Sequence, residues 1–152
     1  WEKVRVQGGA YGGFCLFDRI SGVFTFLSYR DPNLMKTLEN FDGAAQFLRD
    51  ADISDDEVAK AIVGAIGEID SFMLPDMKGY VSMLRSFTGE TDEIRQQMRE
   101  QILGATVNDF RVFAEVLDQM NRDGIVKVLG SQTAIESALA ERPGWLNTFR
   151  LL

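Results

Sequence analysis

The chain has 152 residues and a 45% hydrophobic composition, which is enough for one domain with a sizeable core. Its formal net charge of −7 argues against a nucleic-acid partner, which needs a basic face, and fits either basic peptides or an ordinary acidic surface. The single cysteine excludes an internal disulfide, and the absence of histidine removes the base that a cysteine nucleophile needs.

The first predicted element is a short strand. Residues 4–7 alternate apolar and polar side chains, a pattern typical of a half-buried strand. On a fully extended chain Arg5 and Tyr11 would share a face but lie roughly 20 Å apart, at about 3.3 Å per residue. We expect Gly8 and Gly9 to bend the path and shorten that separation.

Four glycines flank one tyrosine, Tyr11, and they are Gly8, Gly9, Gly12 and Gly13. Because glycine has no side chain, another chain can approach its backbone, and we expect a peptide substrate to lie against Gly8, Gly9 and Gly12. Arg5 and Tyr11 are then the polar groups that meet the peptide. Gly-Gly pairs are also typical of turns and bulges, with Tyr11 as an ordinary aromatic and Arg5 as a solvated charge. The glycine order does not fit G-x-G-x-x-G, which argues against nucleotide binding.

A hairpin follows the glycines. Residues 13–18 and 22–30 predict two strands, joined through turn residues between them. The second of these strands is bulky on both faces, so we expect it to lie away from the sheet edge. Cys15, within the first, is expected to be a buried and unreactive thiol.

Helical patterns fill most of the remaining chain. Asp31 and Pro32 predict the start of the first helix, which carries apolar residues at helical spacing. The later helix starts are predicted by Ser54 with Glu57, Pro75, Thr91, Thr106 with Asp109, and Ser131.

Two glycines, one strand and a tail complete the pattern. Gly64 and Gly67, inside a predicted helix, are expected to allow close packing or a bend. Residues 125–129 predict a short strand. The apolar tail is expected to pack on the domain or on a neighbouring one, through Trp145, Leu146, Phe149 and Leu152.

The order of these elements predicts an α+β fold. Along the chain the predicted order is strands, then several helices, then one strand and a final helix. A two-layer domain over residues 1–152, with several helices on one face of a small sheet, accounts for this order. Because the first residue is Trp1, we expect a piece of a longer protein, with further strands of the sheet ahead of it.

No complete active site is present in the sequence. The acidic residues 50–57 lack the glycine and glutamate offsets of a calcium loop, so they predict a solvated helix start. One cysteine without histidine cannot supply the usual zinc ligands, so we expect this chain to bind no metal. No apolar run reaches membrane-spanning length and no signal-peptide pattern opens the chain, which argues against a membrane partner.

Several joined motifs carry a family resemblance over essentially the whole chain. They are Val4-Arg5-Val6-Gln7-Gly8-Gly9-Ala10-Tyr11-Gly12-Gly13-Phe14, Phe17-Asp18, Ser21-Gly22-Val23-Phe24, Leu27-Ser28-Tyr29-Arg30-Asp31-Pro32-Asn33-Leu34 and Met73-Leu74-Pro75-Asp76-Met77-Lys78-Gly79-Tyr80. Together they resemble the C-terminal part of the presequence proteases, large zinc metallopeptidases of the pitrilysin class with an inverted H-x-x-E-H motif.

The resemblance implies a half-chamber domain of an endopeptidase that degrades short unstructured peptides, such as cleaved targeting presequences. The family pattern matches Arg5 and Tyr11 in V-R-V-x-G-G-A-Y-G-G. It implies that both reach the zinc site of the N-terminal half, whose zinc ligands and glutamate base lie outside this sequence. Arginine is a fixed donor fork for a substrate carbonyl or carboxylate, and a tyrosine hydroxyl can donate to the oxyanion of the tetrahedral intermediate.

The implied partners are a peptide substrate and the N-terminal catalytic half of the same protein, with zinc as the cofactor of the full-length enzyme. The implied location is the mitochondrial matrix or chloroplast stroma, with the bacterial cytoplasm left open. The alternative is a non-catalytic peptide-binding or scaffold module derived from a metallopeptidase. An H-x-x-E-H motif upstream in the same chain would favour the enzyme.

Overall fold

The computed structural model describes residues 1–150 and has an α+β fold, as the sequence predicts. Two compact units are present. One consists of Trp1–Ala45 together with the described residues from Leu117 onward, and the other of Gln46–Val116. The prediction of a single domain over residues 1–152 stays a prediction.

The chain begins with a π-helical segment at Glu2–Gln7, called the N-terminal turn below. The predicted strand over these residues is wrong. Val4 is 5% exposed while Val6 is 60% exposed, so the two valines do not share one buried face. The backbone N–H of Arg5 donates to the carbonyl of Trp1 at 2.8 Å. This N–H is therefore bonded within the turn and is not available to an adjacent strand.

The predicted hairpin is confirmed. Strand β1 (Gly12–Asp18) pairs antiparallel with strand β2 (Val23–Tyr29), with Gly12 opposite Tyr29 and Asp18 opposite Val23. The Asp18 carboxylate closes the turn by accepting from the backbone N–H of Ile20 at 3.0 Å and from the Ser21 hydroxyl at 2.6 Å. These bonds hold the pKa of Asp18 below its ordinary value, with the Ser21 bond as the largest cause.

One face of strand β2 is half-buried, whereas β1 is exposed from Phe14 to Asp18. Within residues 1–150 the sheet has two strands, and β2 alternates exposed positions with half-buried ones. The expectation that β2 lies away from a sheet edge is therefore wrong for the described part of the chain. Cys15 is exposed, which corrects the expectation of a buried thiol. It lies opposite Phe26 and therefore on the same face of the hairpin, but β1 is exposed from Phe14 to Asp18, so this face is covered at β2 and not at β1. The inner face meets a helix, where the rings of Phe26 and Phe41 stack at 4.9 Å.

Seven α-helices follow within the described residues. They are α1 (Leu34–Asp42), α2 (Ala44–Asp50), α3 (Asp55–Ile69), α4 (Pro75–Thr88), α5 (Asp92–Leu103), α6 (Val107–Asp123) and α7 (Gln132–Glu141). The predicted start at Asp31 and Pro32 is wrong, because α1 begins after Asn33. Asp31 instead accepts from the backbone N–H of Asn33 at 2.8 Å and forms the turn that precedes the helix.

The other helix starts agree with the sequence. Ser54 and Glu57 form the predicted capping box at α3, and Pro75 occupies the first turn of α4. Thr91 and Ser131 accept from backbone N–H groups at the starts of α5 and α7. The caps at Ser54, Thr91 and Ser131 each join residues three apart, which is why spacing alone predicts them.

No other part of the described chain packs closely against Gly64 or Gly67. Helix α3 runs unbroken through both, and a methyl group on either would meet no atom within 4 Å. The expected close packing is therefore wrong within the described residues, and the expected bend stays a prediction. Within the same unit, Arg99 on α5 donates to Asp70, just after α3, at 2.6 Å and through a second, shorter bond. This pairing lowers the pKa of Asp70.

The predicted strand at residues 125–129 is absent from the described part of the chain. Ile125 is 82% exposed and Leu129 is 86% exposed. No residue from 125 to 130 makes a backbone–backbone hydrogen bond within residues 1–150. A strand is defined by its pairing, so the sequence pattern alone does not form one.

The apolar residues of the C-terminal tail differ in how far they are buried. Trp145 and Leu146 are half-buried, while Phe149 is exposed. Leu152 lies outside the described residues. The buried apolar residues of the described chain are mostly small, and they are Val4, Ala10, Ala45, Val58, Ala114, Leu117 and Ala138.

Candidate functional site

Arg5 is held by the N-terminal turn in two ways. Its guanidinium carbon lies 4.4 Å from the ring centroid of Trp1, one helical turn earlier, as a cation–π contact. Its Nε donates to the backbone carbonyl of Tyr11 at 3.0 Å. The bend that we expect at Gly8 and Gly9 is therefore confirmed, because two residues that an extended chain would separate are in contact.

Tyr11 lies at the open end of the hairpin, immediately before β1. Its backbone N–H is shared between the carbonyls of Tyr29 at 3.1 Å and Arg30 at 3.3 Å. Its ring meets the ring of Tyr29 edge-on, with centroids 5.9 Å apart and planes at 85°. The residue is nonetheless 67% exposed. The backbone of Tyr11 is thus fixed while its phenol projects outward.

The glycines beside this pair have reasons within the chain itself. A methyl group on Gly8 would lie 2.6 Å from the carbonyl oxygen of Val4. Gly9 has a φ of +76°, which favours glycine over other residues. Gly12 is buried, and a methyl group there would lie 2.6 Å from the Phe14 ring. Contact of Gly8, Gly9 and Gly12 with a substrate stays a prediction.

Sequence reasoning missed three residues that build the site. Trp1 lies under the Arg5 guanidinium, Tyr29 lies against the Tyr11 ring, and Asn33 donates its side-chain amide to the carbonyl of Gly8. The four-residue interval between Trp1 and Arg5 was the available signal for the first contact, since such pairs meet on a helical turn. The other two contacts depend on strand register and on the chain path into α1.

The arrangement presents two hydrogen-bond donors. Within residues 1–150, Arg5 makes no ion pair, and the Tyr11 hydroxyl has no hydrogen-bond partner. An arginine fork and a phenol can together hold a carbonyl or carboxylate oxygen. They do not form a metal site, and the described residues include no group of three or more side chains that could hold a metal ion. The residues present therefore do not fit zinc.

Comparison with known proteins decides the family. Residues 1–132 match the family described as the PreP C-terminal domain. The chain belongs to this family. Presequence protease 1, chloroplastic/mitochondrial, of Arabidopsis thaliana is 49% identical over 152 residues, which cover 100% of this chain and 14% of that protein.

Two further relatives agree with this assignment. Protein HypA of Clostridium perfringens is 35% identical over 136 residues, which cover 90% of this chain and 14% of that protein. Presequence protease, mitochondrial, of Saccharomyces cerevisiae is 33% identical over 130 residues, which cover 85% of this chain and 13% of that protein. The chain thus spans about one seventh of the length of each of these three relatives.

No helix among residues 1–150 combines the length and apolarity that crossing a bilayer requires.

Proposed function

We propose that this PreP C-terminal domain is the substrate-binding part of a longer zinc endopeptidase that degrades short unstructured peptides, such as cleaved targeting presequences. The observation that carries the proposal is the Arg5 Nε bond to the backbone carbonyl of Tyr11 at 3.0 Å, which joins two exposed residues that each have a hydrogen-bond donor in the side chain. The names of the Arabidopsis and yeast relatives support the presequence substrate and an organellar location, mitochondrial matrix or chloroplast stroma. The bacterial relative keeps a bacterial cytoplasm open.

Each donor has a distinct role in this proposal. Because Nε is already used, Arg5 offers its terminal N–H groups to a peptide carbonyl or carboxylate. The Tyr11 hydroxyl donates to the carbonyl oxygen of the cleaved bond as negative charge develops there. A donor placed in this way contributes about 2.7–4 kcal/mol in comparable enzymes.

The remaining machinery belongs to other segments. The zinc ligands and the general base are proposed to lie in the N-terminal half of the parent protein, because this chain has no histidine and a lone cysteine. Arg5 and Tyr11 then bind and orient the peptide while the other half carries the metal. This makes the N-terminal half the principal partner, alongside the peptide.

The test of Tyr11 uses the full-length parent enzyme. We expect Tyr11→Phe to lower kcat by about 100- to 1,000-fold with a smaller change in KM, because the lost hydrogen bond acts mainly in the transition state. Tyr80→Phe is the matched control, since Tyr80 on α4 is also exposed, at 54%. Unchanged turnover in Tyr11→Phe would contradict the role.

The test of Arg5 separates charge from geometry. We expect Arg5→Lys to raise KM and lower kcat/KM despite the retained charge, since lysine cannot bond the Tyr11 carbonyl through Nε and also present a fork. Arg111→Lys, at an exposed position of α6, is the control and should behave as the wild type. A parent protein that binds peptides with Arg5 and Tyr11 but never hydrolyses them would favour the non-catalytic module.

A further inference from the structure

The side chain of Asn33 does not do what its position in the helix predicts. Asn33 occupies the N-cap position of α1, where an asparagine oxygen usually accepts from a backbone N–H of the first helical turn. Its side chain makes no such capping bond. The side-chain amide instead donates to the backbone carbonyl of Gly8, 25 residues earlier in the chain. Asn33 therefore joins the start of α1 to the end of the N-terminal turn.

The peptide group that Asn33 holds is also bonded to Arg5. The carbonyl of Gly8 and the N–H of Gly9 belong to one planar peptide group. That N–H donates to the backbone carbonyl of Arg5 at 2.9 Å. One rigid unit thus accepts a hydrogen bond from Asn33 and donates another to Arg5, and hydrogen bonds linked in this way polarise and strengthen each other. A single peptide group separates Asn33 from the backbone of Arg5.

Asn33 is itself fixed by the residues that precede it. The Asp31 carboxylate accepts from the backbone N–H of Asn33 at 2.8 Å. Among residues 1–150, Arg30 is the one residue other than glycine with a positive φ, at +47°. Such a conformation persists only where surrounding contacts determine it, and the Arg30 carbonyl accepts from the Tyr11 N–H at 3.3 Å. The chain therefore turns at Arg30 and brings Asn33 beside Gly8.

We propose that Asn33 is a positioning residue for Arg5. Through the peptide group of Gly8 and Gly9 it fixes the backbone from which the Arg5 guanidinium meets the substrate. This rests on the proposed function, in which Arg5 binds the peptide. The Nε of Arg5 reaches the Tyr11 carbonyl at 3.0 Å only while that backbone stays in place. Loss of the Asn33 bond frees the backbone without changing the chemistry of Arg5 or Tyr11.

Two variants of the full-length parent protein remove the bond. Asn33→Asp keeps the shape and the capping ability of asparagine, but an ionised carboxylate cannot donate to the Gly8 carbonyl. Asn33→Ser adds no charge and is an equally good N-cap, but its shorter side chain does not place a donor where the amide lies. Asn108→Asp is the matched control, because Asn108 is exposed in the first turn of α6. Denaturant unfolding checks that each variant is folded.

The first measurement is residue-resolved amide hydrogen exchange without added peptide. We expect the Gly9 N–H to exchange about 10-fold or more faster in Asn33→Asp and Asn33→Ser than in the wild type, because its peptide group is no longer held from the carbonyl side. The Thr37 N–H donates to the Asn33 carbonyl at 2.9 Å in the first turn of α1. It is the internal control, and an unchanged rate there shows that the helix start is intact.

The second measurement is peptide hydrolysis. We expect both Asn33 variants to raise KM, as Arg5→Lys does, and to lower kcat/KM by about 10- to 100-fold, since misplacement by about 1 Å can cost about 100-fold. Asn108→Asp should behave as the wild type. In an Arg5→Lys background the Asn33 substitutions should change kcat/KM by no more than about 2-fold, because residues that act through one another are not additive. A merely structural role of Asn33 would not depend on Arg5 in this way.

Three outcomes would overturn the proposal. An unchanged Gly9 exchange rate in both variants would show that Asn33 does not hold the peptide group. Faster Gly9 exchange with wild-type kcat/KM, or an equal loss of kcat/KM in the wild-type and Arg5→Lys backgrounds, would show that Asn33 does not act through Arg5. Wild-type kinetics in Arg5→Lys alone would refute the proposed role of Arg5 itself, and the positioning role would fall with it.

Discussion

Gly8 provides the sharpest test of how the chain brings Arg5 and Tyr11 together. A methyl group on Gly8 would lie 2.6 Å from the carbonyl oxygen of Val4 and 2.9 Å from that of Lys3. Both are backbone atoms, so no flexible side chain can move aside. The φ of Gly8 is −83°, so alanine meets no dihedral penalty there and the effect of Gly8→Ala is steric alone.

The expected magnitude follows from these contacts. Overpacking of this kind costs about 1–3 kcal/mol unless the backbone shifts. A shift of the N-terminal turn would move Arg5 relative to the Tyr11 carbonyl that it now meets at 3.0 Å. In an active site, misplacement by about 1 Å can cost about 100-fold. In the proposed peptidase we therefore expect Gly8→Ala to lower kcat/KM by 10- to 100-fold, an order-of-magnitude figure from the same principle.

The assay combines peptide hydrolysis with denaturant unfolding of each variant. Gly64→Ala is the matched control, because a methyl group there meets nothing within 4 Å inside α3. It should raise the free energy of unfolding by about 1 kcal/mol and leave kcat/KM unchanged. If Gly8→Ala kept wild-type stability and kcat/KM, the steric account of the turn would be refuted.

Three further predictions concern stability. Because Arg99 holds the pKa of Asp70 below its ordinary value, their ion pair stabilises the fold above the unfolded pKa of about 3.9, and this contribution is lost as the pH falls through the lower folded pKa. Asp70→Asn should therefore flatten the fall in Tm between about pH 5 and 2, and an unchanged profile would count against the pair. Ser54→Ala should lower the free energy of unfolding by about 1 kcal/mol, and an unmoved denaturant midpoint would exclude the cap as a stabilising feature. Phe41→Leu should cost about 0.5–1.5 kcal/mol by removing the stack on Phe26, to be measured in the same way; no loss would show that the stack adds nothing.

Local features of the fold were predictable from sequence, and pairing between distant segments was not. The capping box at Ser54 and the hairpin turn at Asp18 involve residues two or three apart, so spacing alone indicates them. Residues 125–129 have the composition of a strand, but a strand requires a partner that the described chain does not provide. The alternation of residues 4–7 predicted a strand because it resembles one, while the backbone forms a helical turn.

The same contrast between local features and contacts that depend on the folded chain applies to the candidate site. Arg5 and Tyr11 were identified from the sequence, through the glycine-rich segment and a family resemblance. Their contact through Nε and a backbone carbonyl depends on the turn geometry, which no residue pattern encodes directly. The support from Tyr29 depends on strand register, since Tyr29 lies opposite Gly12. The glycines suggested an approach path for a peptide, and the structure shows that crowding within the chain also requires them.

The most direct measurement of the central claim is photo-crosslinking at Tyr11 in the full-length protein. Tyr11 is replaced by p-benzoylphenylalanine, a labelled presequence peptide is added, and the adduct is located by mass spectrometry. Tyr80, also exposed, carries the same group as the control. The account predicts a peptide adduct at residue 11 and none at residue 80. No adduct at residue 11, or equal labelling at both positions, would contradict it.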